Sequence, residues 1–387
     1  MKTMKKATPR IPHIVFYFSD TGGGHRSAAE AIIEAVHLEY KNKVTTEMVD
    51  FFKDYAPPPF NRVGEMYPYM VKAPRLWSAS FHATDGRARA RMITATTWPL
   101  ARHGAKTLVR SHPADLIVTV HPFANSFALR ALGNNRPPFI NVVTDMVTTH
   151  ALWFDKRADL ILVPTKQARE SAIENNMPPE KVRVVGLPVA DKYCKPLGRK
   201  SALRKKLGWT LDKPVVLMVG GGEGMGPLAR MAREIDASGL DVSLVIVCGR
   251  NQRLKATLES EKWENPTFIY GFTRDMPDLM RAADFIVTKA GPGTIAEALN
   301  AELPIILYSK LPGQEDGNVT FVEEEGAGVW APKPQDVVRA LTRWISRPAE
   351  RKQAIENCRR AGRPEAARTI ARTIGKMLGI KSNHVYK

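Results

Sequence analysis

The chain has 387 residues, 44% of them hydrophobic and 25% charged, which is typical of a globular protein of two domains rather than a fibrous or disordered one. It contains no run of about 18 apolar residues, and its basic start lacks the apolar stretch of a signal peptide, so we expect neither a transmembrane helix nor secretion. Lys and Arg outnumber Asp and Glu by 57 to 39, and a net charge of +18 attracts anionic lipid, nucleic acid or an acidic substrate. The three cysteines show no pairing or metal-ligand spacing, so we expect free thiols in a reducing, cytoplasmic compartment.

The first half of the chain alternates strand-like and helix-like patterns, which indicates a parallel, doubly wound α/β sheet. Strands are predicted at residues 13–19, 44–51, 115–120, 139–144, 160–163 and 182–185, and helices at 24–40, 87–111 and 125–132. Residues 186–198 lack periodicity and are interpreted as a connection between domains.

The second half repeats this alternation. Strands are predicted at residues 215–220, 242–248, 267–270, 285–288 and 304–307, and helices at 228–237, 294–301 and 336–346. A basic helix is expected from about residue 349 to 378, with an interruption near residues 362–364.

Two glycine clusters, at residues 22–24 and 220–224, each follow a predicted strand and precede a predicted helix. Glycines at such a turn let the backbone approach a ligand closely, and the following helix N-terminus favours negative charge. Each cluster alone could be a simple connection, and neither lies in a complete dinucleotide or P-loop signature. Together they predict two similar α/β halves that face one anionic ligand.

Four polar or aromatic residues in the first half are candidates for chemistry. His25 begins the helix after the first glycine cluster, where the helix dipole disfavours the imidazolium; we expect a general base, with a capping or packing histidine as the alternative. Asp145 follows a strand and could orient or deprotonate an acceptor hydroxyl. Trp153 and Phe154 could enter a bilayer or line an acyl site, or could form an ordinary aromatic core.

The second half offers groups suited to a nucleotide sugar. Gly291 and Gly293 with Thr294 provide backbone amides for a diphosphate. Glu297 could accept hydrogen bonds from two ribose hydroxyls, or could form a capping box with Thr294. Gln314 and Glu315 could bind hexose hydroxyls, or could belong to a solvated loop.

Between residues 62 and 110 the chain carries nine Lys or Arg against two acidic residues. The same stretch contains aromatic side chains that prefer interfaces, namely Tyr67, Tyr69, Trp77, Phe81 and Trp98. This mixture favours a patch on a membrane surface. A surface for nucleic acid is the competing interpretation, although no nucleic-acid-binding motif accompanies it.

These segments together resemble the monogalactosyldiacylglycerol synthases and the related diacylglycerol glucosyltransferases, a group similar to the lipid II-forming N-acetylglucosaminyltransferase of glycosyltransferase family 28. The resemblance is carried by residues 19–26, 143–145, 186–189, 220–227, 248–251, 288–298 and 313–315. It implies a GT-B fold, in which two Rossmann-like domains face a central cleft. The implied domains are an acceptor- and membrane-binding domain at 1–187, a UDP-sugar-binding domain at 188–346, and a basic C-terminal helix at 347–387 that returns to the first domain.

The resemblance also implies an inverting, metal-independent transfer of galactose from UDP-galactose to the 3-hydroxyl of 1,2-diacylglycerol, which forms monogalactosyldiacylglycerol. The alternatives are a UDP-glucose-dependent diacylglycerol glucosyltransferase, processive or not, and a UDP-sugar epimerase. The expected partners are a UDP-hexose, diacylglycerol and the anionic cytoplasmic face of a membrane. No cofactor and no metal are expected.

The candidate site residues follow from the motifs and the resemblance together. The catalytic candidates are His25 and Asp145, and the first glycine loop contributes Gly23 and Gly24. The donor side comprises Gly222, Arg250, Phe272, Gly291, Gly293, Thr294, Glu297, Gln314 and Glu315. The acceptor or membrane side comprises Pro59, Trp77, Thr149, Trp153 and Phe154.

Overall fold

A computed structural model describes residues 10–21, 23–71, 73–195, 198–222, 224 and 226–382. Six residues of the segments singled out above, Gly22, Lys72, Pro196, Leu197, Glu223 and Met225, lie outside the described residues, as do the two ends of the chain. Within the described ranges, no helix has both the length and the apolar character needed to cross a bilayer.

The first half folds into a parallel six-stranded sheet with the strand order β2-β1-β3-β4-β5-β6. Its strands are β1 (His13–Phe18), β2 (Thr45–Asp50), β3 (Leu116–Thr119), β4 (Phe139–Val142), β5 (Leu160–Val163) and β6 (Val182–Val184). Its helices are α1 (Gly24–Tyr40), α2 (Phe51–Tyr55), α3 (Val63–Met70), α4 (Pro74–Thr84), α5 (Arg87–Ser111), α6 (Pro122–Leu132) and α7 (Lys166–Glu174).

The second half forms another parallel six-stranded sheet, ordered β12-β11-β10-β7-β8-β9. Its strands are β7 (Val215–Val219), β8 (Ser243–Val247), β9 (Thr267–Tyr270), β10 (Phe285–Lys289), β11 (Ile305–Ser309) and β12 (Gly328–Trp330). The helices are α8 (Lys200–Leu207), α9 (Leu228–Asp236), α10 (Gln252–Glu259), α11 (Met276–Ala282), α12 (Pro292–Asn300), α13 (Asp316–Glu324), α14 (Pro334–Ser346), α15 (Pro348–Ala361) and α16 (Ala366–Met377).

The strands are continuous apolar runs because helices cover both faces of each sheet. In β7 and β8 every residue is buried, and only one of the ten is polar. Runs of Val, Ile and Leu without alternation are typical of parallel sheets that are buried on both sides. The prediction of two parallel α/β sheets is confirmed.

The last helix returns to the first half, as the resemblance implied. In α16, Ile370 and Ile374 pack in the same core cluster as Ile32 of α1. A Cβ atom at Gly375 would lie 2.1 Å from the hydroxyl oxygen of Tyr40, so glycine is needed for this close approach. The domain bounds at residues 187 and 346 stay a prediction.

The sequence patterns missed several short elements. The sequence predicts a strand that ends at residue 51 and a proline break at residues 57–59, but residues 51–84 form the three helices α2, α3 and α4. These helices are short and largely exposed, so they lack the long apolar pattern by which helices are recognised in a sequence. The strand β12 and five helices of the described chain, α7, α8, α10, α11 and α13, were also not predicted.

Candidate active site

Each sheet has a point where the strand order reverses, and ligands of open α/β sheets bind at the carboxyl ends of the strands there. In the first sheet this point lies between β1 and β3, and in the second between β7 and β10. His25 follows β1, and both glycine-rich turns of the second half follow β7 and β10. The topology therefore brings the predicted motifs to the two positions where a ligand is expected.

His25 lies in the first turn of α1, and its ring is fixed through one nitrogen. Its Nδ1 atom is 2.8 Å from the carbonyl oxygen of Val120 and 2.9 Å from the hydroxyl oxygen of Thr144. Because a carbonyl can only accept, Nδ1 carries the hydrogen and Nε2 keeps its lone pair. Burial lowers the pKa of His25 to about 4, so the imidazole is neutral at pH 7. The N-cap of α1 is Gly23, so the alternative that His25 caps the helix is wrong.

A second histidine, which the sequence analysis missed, lies beside His25. The ring centroids of His25 and His121 are 4.6 Å apart, and Nε2 of His121 is 3.0 Å from the hydroxyl oxygen of Thr21. Burial lowers the pKa of His121 well below its usual value, and at acidic pH repulsion from a protonated His25 adds to this effect. Its Nδ1 atom is buried and has no hydrogen-bond partner among the described residues. Its position directly after β3, at the reversal of strand order, is the signal that could have identified it.

Asp145 joins the two halves of the molecule. Its carboxylate is only 7% exposed and accepts a hydrogen bond from the indole N–H of Trp153 at 2.7 Å. The side-chain amide of Gln314, from the second half, donates to the other oxygen at 3.1 Å. Burial raises the pKa of Asp145 to about 6, and the two hydrogen bonds oppose this effect. The structure thus brings Asp145 and Gln314, predicted from opposite halves, into contact.

Trp153 is fully buried, so the interpretation that it enters a bilayer is wrong. Its indole supports Asp145, and its ring centroid lies 6.0 Å from that of His25. Thr149 is also buried, and its hydroxyl donates to Ser171 at 2.7 Å, so it does not lie on a membrane-facing surface. Only Phe154 of this group lines an open cavity, one of about 450 Å³.

The diphosphate turn of the second half is the N-terminus of α12. This helix begins at Pro292 with Gly291 as N-cap, so Thr294 lies inside the first turn and the capping-box alternative for Glu297 is wrong. Gly293 has open space around it, with nothing within 4 Å of an added Cβ atom. The N–H of Gly291 donates to the carbonyl oxygen of Lys289 at 2.8 Å and Pro292 has none, so Gly293 and Thr294 offer the first-turn amides that can face an anion.

Glu297 points away from the helix backbone to a tyrosine. It accepts a hydrogen bond from the hydroxyl of Tyr193, a residue in the segment that was interpreted as a plain connection. Burial raises the pKa of Glu297 to about 7, against the effect of this hydrogen bond. A half-buried carboxylate beside a tyrosine hydroxyl suits a pair of ribose hydroxyls.

The glycine cluster after β7 packs against the turn after β8. The backbone N–H of Arg250 donates to the carbonyl oxygen of Gly222 at 2.8 Å. A Cβ atom at Gly249 would lie 2.4 Å from the same carbonyl, and φ at Gly249 is +58°, so this turn needs glycine. The guanidinium of Arg250 lies 4.9 Å from the ring centroid of Phe272, which is 58% exposed. This pair leaves an aromatic surface on which a base could stack.

The alternative that Glu315 belongs to a solvated loop is wrong. It is 5% exposed, and its two carboxylate oxygens accept from Lys289 Nζ at 2.6 Å and from the backbone N–H of Leu311 at 2.7 Å. The carbonyl oxygen of the neighbouring Gln314 side chain is buried without a partner in the described part of the chain. Gln314 therefore keeps an acceptor for a substrate hydroxyl, whereas Glu315 is already engaged.

Helices α3 and α4 lie over the centre of the cleft. Burial raises the pKa of Tyr67, and the carboxylates of Glu315 and Asp145 raise it further, which places this phenol close to both. The rings of Tyr67 and Trp77 meet edge to face at 5.6 Å, and the indole N–H of Trp77 is buried with no partner in the described ranges. Pro59 is exposed at the start of this region.

No metal site is evident in the residues that the structure describes, since no three His, Cys, Asp or Glu side chains group closely enough to hold an ion. Metal independence remains an expectation from the resemblance.

Two family models match the chain. Residues 25–189 match the model described as monogalactosyldiacylglycerol (MGDG) synthase, and residues 215–370 match the glycosyltransferase family 28 C-terminal domain. The chain is 36% identical over 385 residues to the probable monogalactosyldiacylglycerol synthase 2 of Oryza sativa, covering 96% of this chain and 82% of the relative. It is 35% identical to the monogalactosyldiacylglycerol synthase 3 of Arabidopsis thaliana, covering 97% and 83%.

Solved structures support the fold. The chain is similar to Acinetobacter baumannii MurG with a TM-score of 0.61 at 16% identity, covering 94% of this chain and 99% of that one. It is similar to S. aureus MnaA in a co-structure with UDP, with a TM-score of 0.59 at 16% identity, covering 95% and 97%. The expected GT-B architecture is confirmed.

Proposed function

Because the chain belongs to the monogalactosyldiacylglycerol synthase family, we propose that it transfers galactose from UDP-galactose to the 3-hydroxyl of 1,2-diacylglycerol. The protein is a UDP-sugar-dependent hexosyltransferase. The structural observation that carries the proposal is the Asp145–Gln314 contact between the two halves. Trp153 links this contact to the neutral His25, because its indole donates to Asp145 and its ring centroid lies 6.0 Å from that of His25. A base from one half and a sugar-binding amide from the other are thereby assembled in one cleft.

The reaction needs a base for the acceptor hydroxyl. Nε2 of His25 takes the proton of the 3-hydroxyl as the acceptor oxygen forms its bond to the anomeric carbon. The bond from that carbon to the diphosphate oxygen breaks in the same displacement, and UDP leaves with the electron pair. A single displacement inverts the anomeric carbon. Asp145, held by Trp153, fixes Gln314 beside the hexose and orients the acceptor.

The donor is held by groups on the second half. Glu297 accepts from the ribose hydroxyls, and the exposed ring of Phe272 stacks on the base. The amides of Gly293 and Thr294 and the dipole of α12 stabilise the negative charge that develops on the leaving diphosphate. The orphaned carbonyl of Gln314 accepts from a hydroxyl of the hexose.

The test supplies purified protein with diacylglycerol vesicles and equal amounts of UDP-galactose and UDP-glucose, and the lipids are analysed by mass spectrometry and by separation of the hexoses. We expect a monogalactosyl lipid. His25→Ala is expected to lower kcat by about 10²- to 10⁴-fold while UDP affinity is kept. His37→Ala, an exposed histidine on the same helix, is the matched control and should leave kcat unchanged. Absence of glycolipid from both sugars, or full activity of His25→Ala, would refute the proposal.

We also propose that the protein binds the surface of an anionic membrane, with the cytoplasmic face as the expected side. Large apolar side chains project into solvent from helices α3 to α5, among them Tyr69 and Leu76, each 72% exposed. Basic residues surround them, and each contributes about 1 kcal/mol near an anionic surface. This face adjoins the helices that cover the cleft, where a lipid acceptor would enter.

A vesicle co-sedimentation assay tests the membrane surface. Leu76→Asp should reduce binding to vesicles that contain phosphatidylglycerol, since it places a negative charge in the apolar patch. Leu211→Asp is the control, because Leu211 is 56% exposed on the second half, away from this patch. Equal binding by both variants would contradict the assignment of the surface, and stronger retention on DNA than on vesicles at matched salt would favour nucleic acid.

A further inference from the structure

Lys289 occupies the crevice of the second sheet, and no step described so far uses it. It is the last residue of β10, next to the point where the strand order reverses. Its side chain lies over two glycine turns. A Cβ atom at Gly291 would be 3.0 Å from Lys289 Nζ, and a Cβ atom at Gly221 would be 3.2 Å from Lys289 Cε. Glycine at both turns therefore leaves the room that the lysine side chain fills.

A carboxylate anchors the ammonium group of Lys289 from one side. Lys289 Nζ lies 2.6 Å from Glu315 Oε1, and the side chain of Glu315 is almost fully buried. An ammonium has three N–H donors, and the bond to Glu315 uses one of them. Glu315 cannot turn away freely, because its other oxygen accepts from the backbone of Leu311. Its carboxylate thus fixes the position of the ammonium above the turns.

We propose that Lys289 binds the diphosphate of the nucleotide sugar and that Glu315 is a positioning residue that holds its ammonium there. The inference rests on the proposed use of a UDP-sugar. The N-terminus of α12, with its N-cap Gly291, supplies backbone donors to the same place, so a diphosphate at the turn lies within reach of both. Lys289 then stands between two anions, the carboxylate of Glu315 and the diphosphate.

This placement predicts a specific pattern of charge effects. Removing Lys289 takes away a charge-assisted bond to the diphosphate and also leaves the buried Glu315 carboxylate facing an anion. Neutralising Glu315 in the same variant removes the repulsion and should restore part of the binding. A lysine that only supports the fold would show no such rescue, and its loss would affect ligands with and without phosphate alike.

The experiment measures the binding of UDP and of uridine by titration calorimetry, so it needs neither an acceptor lipid nor turnover. Failure of galactosyl transfer would therefore leave this test intact. Lys289→Met should weaken UDP binding by about 10- to 100-fold and change uridine binding by less than about twofold. Lys289→Arg should retain most of the UDP affinity, and the double variant Lys289→Met/Glu315→Gln should recover part of it.

Lys310→Met is the matched control. Lys310 follows the neighbouring strand β11 and pairs with its own carboxylate, Asp316, at 2.8 Å. This variant should leave the affinities for UDP and uridine unchanged. An unchanged UDP affinity in Lys289→Met, or an equal loss for UDP and uridine, would overturn the diphosphate assignment. Absence of recovery in the double variant would overturn the role given to Glu315.

Discussion

Replacing Trp153 by phenylalanine removes the indole N–H that donates to Asp145 and keeps an aromatic ring in the same buried position. The hydrogen bond is 2.7 Å long and stabilises the ionised carboxylate more than the protonated group. Burial has already raised the pKa of Asp145 to about 6, so the carboxylate depends on the hydrogen bonds that remain. The substitution should therefore shift the titration of Asp145 to higher pH.

The size of the shift in titration follows from the charge on Asp145, which accepts the hydrogen bond. A hydrogen bond to a charged group contributes about 1.5–3 kcal/mol, and 1.36 kcal/mol corresponds to one pH unit of titration. Activity that needs the carboxylate rises as the pH rises through about 6 in the unmodified protein. In Trp153→Phe the midpoint of this acidic limb should move upward by roughly one to two pH units.

The assay is the pH profile of kcat at saturating UDP-sugar, because saturation suppresses the titration of groups that act only on donor binding. Trp77→Phe is the matched control. Its indole N–H has no partner among the described residues, so its removal costs no hydrogen bond and should leave the midpoint in place. An unmoved acidic limb in Trp153→Phe would refute the reasoning that Asp145 controls it. A thermal melt of each variant confirms that the fold is intact.

Two further predictions concern binding and stability. Since the pKa of Glu297 is raised to about 7 and its carboxylate binds the ribose, the affinity for uridine should fall about tenfold as the pH drops from 8 to 6. Calorimetry on Glu297→Gln should show a uridine affinity that does not change over this pH range. The buried side chain of Arg204 donates to Asp284 at 2.5 Å, so Arg204→Met should lower the free energy of unfolding in urea by about 3 kcal/mol. This value is at the low end for buried ion pairs, because Lys200 still contacts Asp284 in the variant. Arg233→Met, at an exposed ion pair, should change it little, and equal losses would contradict the argument.

The long elements of the fold could be predicted because their patterns are local. Helix α1 and helix α5 were predicted with the bounds that the structure has, and the apolar strands were located within one or two residues. Residues 57–84 could not be assigned in this way. Helices α3 and α4 are amphipathic over only a few turns, and their positions depend on contacts such as the packing of Phe81 against Gly313 in the other half.

The candidate site shows the same division. His25, Asp145, Glu297 and Gln314 were found because each follows a strand or begins a helix, which is a feature of the chain alone. His121 and Lys289 were missed, although they too follow or end strands at the reversal points. Their partners are about a hundred residues away for His121 and 26 residues away for Lys289, and nothing in the local sequence indicates those contacts.

The sequence by itself determined the two α/β halves, the glycine turns and the family, because strand and helix periodicity and backbone freedom are properties of neighbouring residues. The tertiary structure alone decided the protonation of the site. Burial, which sets the pKa of His25 low and that of Asp145 high, arises only when distant segments exclude water together. The tertiary structure likewise decided that Trp153 supports a carboxylate instead of facing lipid. It also decided that Glu315 contacts a lysine instead of being free for a sugar.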